Sequence, residues 1–207
     1  MNIAKKTIID FKPRSPKDGD LFGQLDPVEV ARDLERKGIL GISVVTEGPN
    51  FGGSLELLCR LAKAVSLPIL RKDFVKSESD LYATLDCGVS YVLLIAATMR
   101  DSLPALYERA MSLGLSPVVE VHSYAEMDIA KRLDAKLIAI NNKDITMLEK
   151  DDGASDTTLG LIGHAPKDAF VISASGIRNN SDAQGLIQAG AGAVLIGTAF
   201  WKGEFEL

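Results

Sequence analysis

The sequence predicts a single (β/α)8 barrel, and three observations carry that prediction. Eight short apolar runs rich in β-branched residues recur along the 207 residues, near 6–11, 40–45, 68–71, 91–95, 117–121, 137–141, 170–174 and 193–196. The segments between them have helical periodicity, and strands that alternate with helices imply a parallel sheet. The runs lack strict alternation and read as continuously apolar, as parallel strands covered by helices should. An open, doubly wound sheet is the rival arrangement. No Gly-x-Gly-x-x-Gly turn follows the first run, and eight similar units of about 25 residues suit closure into a short barrel.

Taken in order, six of the eight runs hold or stop at a polar group. Thr7-Ile8-Ile9 leads to Asp10 and Lys12. Asp26-Pro27 then reads as an N-cap with proline at the first helical position, and Gly38 as the glycine that closes that helix. Ile42-Ser43-Val44-Val45 leads to Glu47, and Leu67-Pro68-Ile69-Leu70 to Arg71-Lys72-Asp73-Phe74. Ser77-Glu78-Ser79-Asp80 resembles a capping box and begins a helix that runs to Gly88. After the fourth run, Asp101 is expected to open a helix ending at Gly114. Glu120 lies within the fifth run, Asn141 ends the sixth, and Ser173 and Ser175 follow the seventh. Ser181 is expected to open a helix that ends at Gly190, before the eighth run and Gly197-Thr198.

Composition bounds the function. With 46% hydrophobic and 25% charged residues, one domain over 1–207 with one sizeable core is the natural count. A net charge of −5 argues against a nucleic-acid groove, which needs a basic face. The longest apolar stretch, Tyr91 to Met99, falls far short of a bilayer span, and Met1 to Lys6 holds no apolar signal core. A cytoplasmic protein with no membrane contact is therefore expected. In that setting Cys59 and Cys87 are expected to be free thiols. The two histidines, His122 and His164, form no zinc spacing with them, so no metal is expected.

Lys72 is the most informative residue. A lysine at a strand end is either the solvated cap of a loop or a proton donor at the mouth of a barrel. In this fold, catalytic groups come from the C-terminal strand ends, and phosphate commonly sits on the loops after the last two strands. Those loops read Ser173-Ala174-Ser175-Gly176-Ile177 and Ile196-Gly197-Thr198. Glycine lets a backbone approach a phosphate closely, and the amides beside it can then donate to the anion. Either glycine alone could be a tight turn. Together they predict a phosphate site at Gly176, Ile177, Gly197 and Thr198, and hence a small phosphorylated ligand.

These residues together resemble the indole-3-glycerol phosphate synthase family, over nearly the whole chain. The resemblance rests on Asp10-Phe11-Lys12-Pro13-Arg14-Ser15-Pro16, Ile42-Ser43-Val44-Val45-Thr46-Glu47, Phe51-Gly52-Gly53-Ser54 and Leu70-Arg71-Lys72-Asp73-Phe74. It continues through Val119-Glu120-Val121-His122, Ile140-Asn141-Asn142-Lys143-Asp144 and Ser173-Ala174-Ser175-Gly176-Ile177. Any one of these is weak; the set is specific. The family implies ring closure, decarboxylation and dehydration of 1-(2-carboxyphenylamino)-1-deoxyribulose 5-phosphate to indole-3-glycerol phosphate, without a cofactor.

By the same resemblance, Lys72 matches the general acid, Glu120 a catalytic glutamate, and Lys12 the lysine that grips substrate carboxylate and hydroxyls. Asp10 stands at the family's first catalytic carboxylate. Asn141 and Ser175 match residues that hold substrate hydroxyls, and Ser15 and Lys143 fall in the substrate-binding motifs. Phe51 and Phe74 sit where the family packs apolar side chains near the anthranilate ring. Glu47 reads either as the electrostatic partner of a lysine or as a helix cap. His122 is expected beside the site or in the core, with no catalytic role.

Three features depart from the family. Aspartate replaces glutamate at position 10, withdrawing the carboxylate by roughly 1–1.5 Å, a misplacement that can cost ~10²-fold. Alanine stands at 174 where the family has the glutamate of Ser-Glu-Ser-Gly. Few residues precede Thr7, so the barrel is expected to lack most of the family's N-terminal extension, which leaves open a partner chain over the pocket. Two readings follow: a working synthase, or a diverged barrel that binds a phosphorylated ligand or acts on a related amino-sugar phosphate.

Overall fold

Strand β1 (Thr7–Phe11) pairs in parallel with β4 (Gly41–Val45) on one side and β10 (Ala193–Ile196) on the other. Between them, β5 (Ile69–Lys72), β6 (Tyr91–Ile95), β7 (Ser116–Val121), β8 (Leu137–Asn141) and β9 (Phe170–Ala174) complete the ring. The order β1-β10-β9-β8-β7-β6-β5-β4 is a closed barrel of parallel strands, the (β/α)8 architecture the eight runs predicted. A computed structural model describes residues 2–143 and 156–207; Asp144, which belongs to one of the quoted motifs, lies outside the described residues.

The covering helices are α1 (Pro27–Lys37), α2 (Leu55–Ala64), α3 (Glu78–Asp86), α4 (Ala96–Met99) and α5 (Leu103–Ser112), followed by α6 (Tyr124–Arg132), α7 (Asp156–Leu161), α8 (Asn180–Gln188) and α9 (Thr198–Trp201). The caps explain most of their boundaries. Asp26 accepts from the Val28 amide ahead of Pro27, and Gly38 ends α1 in the left-handed conformation. Ser77 and Asp80 form the reciprocal capping box of α3. α1 turns Ala31 and Leu34 fully inward, and burying a leucine side chain contributes about 1.5–3 kcal/mol.

Two expected helix starts move. Asp101 falls in a 3-10 turn over Arg100–Ser102, and α5 begins at Leu103 with Pro104 in its first turn. For α8 the cap is Asn179, whose side chain accepts from the Asp182 amide; Ser181 lies inside the first turn. An asparagine two positions earlier satisfied the same free amides.

The expectation of free thiols is corrected. Cys59 on α2 and Cys87 at the end of α3 form a disulfide, with Cα atoms 4.5 Å apart. They lie 28 residues apart, about one β/α unit, so neighbouring helices present them side by side. A short antiparallel hairpin, β2 (Arg14–Ser15) with β3 (Gly19–Asp20), was also unforeseen. Among the described residues no helix is long and apolar enough to cross a membrane.

Strand parity positions the site. Successive side chains face opposite sides of a strand. Ile8, Leu70, Val118, Ala139, Ile172 and Leu195 belong to the cluster inside the barrel, while Ile9, Phe11, Ile69, Val119, Ile138 and Val171 pack under the helices. Two residues on from the inner set stand Asp10, Lys72, Glu120 and Asn141, each on the inner parity at the C-terminal end of its strand.

Candidate active site

Two cavities open at the C-terminal end of the barrel. The larger, about 450 Å³, is walled by Asp10, Lys12 and Lys72, by Lys143 after β8, by Ser175-Gly176-Ile177 after β9, and by Gly197-Thr198 after β10. The smaller, about 20 Å³, is lined by Glu47, Phe51, Lys72, Phe74 and Glu120 over Val45, Leu93 and Ile95. Lys72 belongs to both walls. Lys12 joins them a second way, with Nζ lying 5.6 Å from the Phe51 ring centroid. Lys12 lines the larger cavity and Glu120 the smaller, with Lys72 in the wall of both, and Lys12 and Glu120 are almost wholly buried.

The anion side has local cations despite the acidic chain. Lys12, Lys17, Lys72, Lys143, Arg178 and Lys202 face Asp10, Asp18 and Glu204 around the larger cavity. Lys17, Asp18, Arg178 and Lys202 carried no motif signal in the sequence. Asp18 accepts from Lys202 Nζ at 3.2 Å and from Ser15 Oγ at 3.1 Å. Burial pushes the Asp18 carboxyl up, but those two bonds outweigh it and hold it below the ordinary value. The same pairing raises the Lys202 ammonium.

Not every expected residue reaches a wall. Ser15 is buried in the hairpin, where its hydroxyl accepts from the Lys17 and Asp18 amides. It lines neither cavity and shapes the turn that carries Lys17. Asn141 is 1% exposed; its Oδ1 accepts from the Lys143 amide, and its Nδ2 has no partner among the described residues. Glu47 lines the smaller cavity and caps no helix among the described residues; its carboxylate accepts from the Asn50 and Phe51 amides of the following turn, each at 2.9 Å. It thereby orders the loop that presents Phe51.

His122 lies beside the site, as expected. Its Nε2 is 3.6 Å from Glu120 Oε1 and its Nδ1 3.3 Å from Glu126 Oε2, so the ring bridges two carboxylates. Burial raises the Glu126 carboxyl, and hydrogen bonds from the ring and backbone of His122 more than reverse this, leaving it lowered.

Against known proteins, the model of the indole-3-glycerol phosphate synthase family matches residues 2–205. The chain belongs to this family. It is 42% identical over 195 residues to an indole-3-glycerol phosphate synthase of Thermococcus kodakarensis, covering 94% of this chain and 86% of that protein. It is 40% identical to proteins of the same name from Pyrococcus abyssi, over 95% of this chain and 86% of that protein, and Pyrococcus furiosus, over 97% and 89%.

Asp10 and Ala174, the two positions expected to depart from the indole-3-glycerol phosphate synthase family, sit differently. Asp10 is 2% exposed, faces the larger cavity, and lies with Oδ2 3.7 Å from where a Cβ on Gly197 would stand. Ala174 has joined the apolar layer inside the barrel with Ile172 and Leu195.

Two supporting networks were missed. Arg71, one residue from Lys72 and on the outer parity, donates to Asp73 Oδ2, Thr46 Oγ1, Thr84 Oγ1 and the Asp80 carbonyl. Asn142, one residue from Asn141, ties the ends of β8 and β9 to α7. Their signal was parity: each is the outward neighbour of an inward site residue.

Proposed function

We propose that the chain catalyses the indole-3-glycerol phosphate synthase reaction, as a carbon–carbon lyase of tryptophan biosynthesis, with Lys72 as the acid at its centre. One observation carries the assignment of roles: Lys72 stands in the common wall of a cation-rich cavity and an apolar cleft that holds Glu120. The substrate has the same polarity, a phosphorylated sugar chain at one end and an aromatic ring at the other. Gly176, Ile177, Gly197 and Thr198 take the phosphate, while Phe51 and Phe74 flank the anthranilate ring.

The chemistry then follows the geometry. The ring carbon bearing the carboxylate attacks the ketone carbon, and the ketone oxygen takes a proton from Lys72 as the new C–C bond forms. Lys12 holds substrate carboxylate and hydroxyls beside it. Loss of CO2 returns the bonding electron pair to the ring. Dehydration needs an acid to release the hydroxyl as water and a base to take a proton; we assign the base to Glu120. Asp10 supplies a second carboxylate from the phosphate side, Ser175 holds substrate hydroxyls, and Asn141, behind the wall, accepts from the Lys143 amide and orders that loop. No resident cofactor enters these steps. The Lys143 ammonium lies on the same wall and offsets phosphate charge.

Indole formation from the anthranilate-bearing substrate changes its fluorescence, so turnover is read directly. Wild-type protein is expected to turn over, and Lys72→Ala to lose at least about 10²-fold in kcat while still folding. Retained kcat in that variant removes Lys72 from the acid role. Absence of turnover by the wild type, with stabilisation by phosphate intact, selects the non-catalytic binder instead.

A further inference from the structure

β8 ends in two asparagines of opposite parity. Asn141 is on the inner face, and Asn142 lies in the layer between barrel and helices, only 6% exposed. The Asn142 side chain is engaged at both ends. Its Nδ2 lies 3.2 Å from Ser173 Oγ, 3.0 Å from the Ala174 carbonyl and 3.0 Å from the Ser175 carbonyl, two hydrogens shared among three acceptors. Its Oδ1 accepts from the Thr158 amide and hydroxyl, each at 2.9 Å. Thr158 Oγ1 and Ser173 Oγ close the network at 2.7 Å, both residues fully buried. The Asn142 amide adds a further bond to the Ala174 carbonyl at 2.9 Å.

Peptide planarity turns these contacts into a statement about the anion loop. The C=O and N–H of one peptide point in opposite directions. Fixing the Ala174 carbonyl toward β8 turns the Ser175 N–H into the ladder with β10, where Ala174 is in register with Leu195. Fixing the Ser175 carbonyl toward Asn142 turns the Gly176 N–H the other way, and Gly176 walls the larger cavity. The loop has to be held in that shape, because Ser175 has φ +65°, a left-handed conformation uncommon for a residue with a side chain. Gly176 follows it at φ +69°.

We propose that Asn142 is a positioning residue for phosphate: its carboxamide holds the Ser175 carbonyl, so that the amide of the same peptide, the Gly176 N–H, receives the anion. This deepens the phosphate-site reading given above and rests on it. Asn142 touches no substrate and acts through the loop. It also couples that loop to α7 through Thr158, so the seats of Lys143 and Ser175 move together.

Asn142→Asp tests this, because it keeps size and can still accept from Thr158 but cannot donate to the three acceptors. With inorganic phosphate as probe, Kd is expected to rise about tenfold, and KM for the authentic substrate by a similar factor, with kcat held within about threefold. Thr158→Val, which spares the Asn142 donors, is expected to raise KM by no more than about threefold, and it serves as the second variant if Asn142→Asp does not fold. In a double variant with Gly176→Val, the effects on Kd should fall short of additive, since both changes act on one loop. Unchanged phosphate Kd in folded Asn142→Asp, or an effect on kcat alone, overturns the role of Asn142. Failure of the wild type to bind phosphate overturns the anion-site reading itself, and the two failures are thereby distinct. A rise in KM for Thr158→Val equal to that of Asn142→Asp also overturns it.

Discussion

The two halves of the site differ in size and in charge. The larger cavity, to which we assign the phosphate, is about 450 Å³ and edged by six cationic side chains. The aromatic half is about 20 Å³ and mostly apolar around Lys72, Glu47 and Glu120. A space of that size holds a water molecule, whereas a cavity of about 150 Å³ takes a benzene ring. On the proposed reading, the ring of the substrate needs more room than the smaller cavity offers, and Phe51 and Phe74 are the aromatic side chains that line it.

The largest effect tests the residue the halves share. Lys72→Ala should reduce kcat by at least about 10²-fold and also weaken inorganic phosphate binding, because the ammonium serves both walls. A variant with full phosphate affinity would confine Lys72 to the aromatic side. Next, the supporting charge: Arg71→Met removes the buried guanidinium that donates to Asp73, Thr46, Thr84 and the Asp80 carbonyl, and should cost about 3 kcal/mol of unfolding free energy, measured in urea. A loss below 0.5 kcal/mol would show that the Arg71 network is not what holds the Lys72 strand end.

Two substitutions sharpen the contrast between halves. Gly176→Val, at φ +69°, should raise phosphate Kd about tenfold. Phe74→Ala should leave phosphate Kd unchanged and raise substrate KM by about tenfold. Equal effects of both variants on phosphate would erase the division drawn here. Asp10→Glu restores the family's reach from the phosphate side; a rise in kcat marks the aspartate as a handicap, and a fall marks a pocket adjusted to it.

The smallest effect concerns pH. Asp18 is held below its ordinary value and Lys202 above its own. The contribution of Asp18 is therefore present above the unfolded carboxylate pKa and fades as pH falls through its lower folded value. That of Lys202 is present below the unfolded ammonium pKa and fades as pH rises through its higher folded value. Lys202→Met should lower Tm slightly at neutral pH and not at all once Asp18 is protonated. A Tm difference that persists in acid points to packing by the lysine stem instead.

Much of this was legible in the residues alone. Eight apolar runs, six of them with a polar group at or near the end, specified the barrel, because the C-terminal ends of parallel strands must all lie on one face. Lys12, Lys72 and Glu120 could be picked out because each interrupts or ends such a run. Parity explains the omissions: Arg71 and Asn142 sit one residue from recognised groups, and reading only the inward set hides the outward one. Asp18 and Lys202, 184 residues apart, carry no local signal of any kind.

What the sequence determined by itself was periodicity, caps and motif order, which depend on neighbours along the chain. Only the tertiary structure decided that Cys59 and Cys87 bond, that Ser15 serves a hairpin, that Glu47 orders a loop, and that the ring-side cleft stands nearly closed. Each of these depends on which helices and loops become neighbours when the barrel closes, a distance through space that spacing along the chain does not encode.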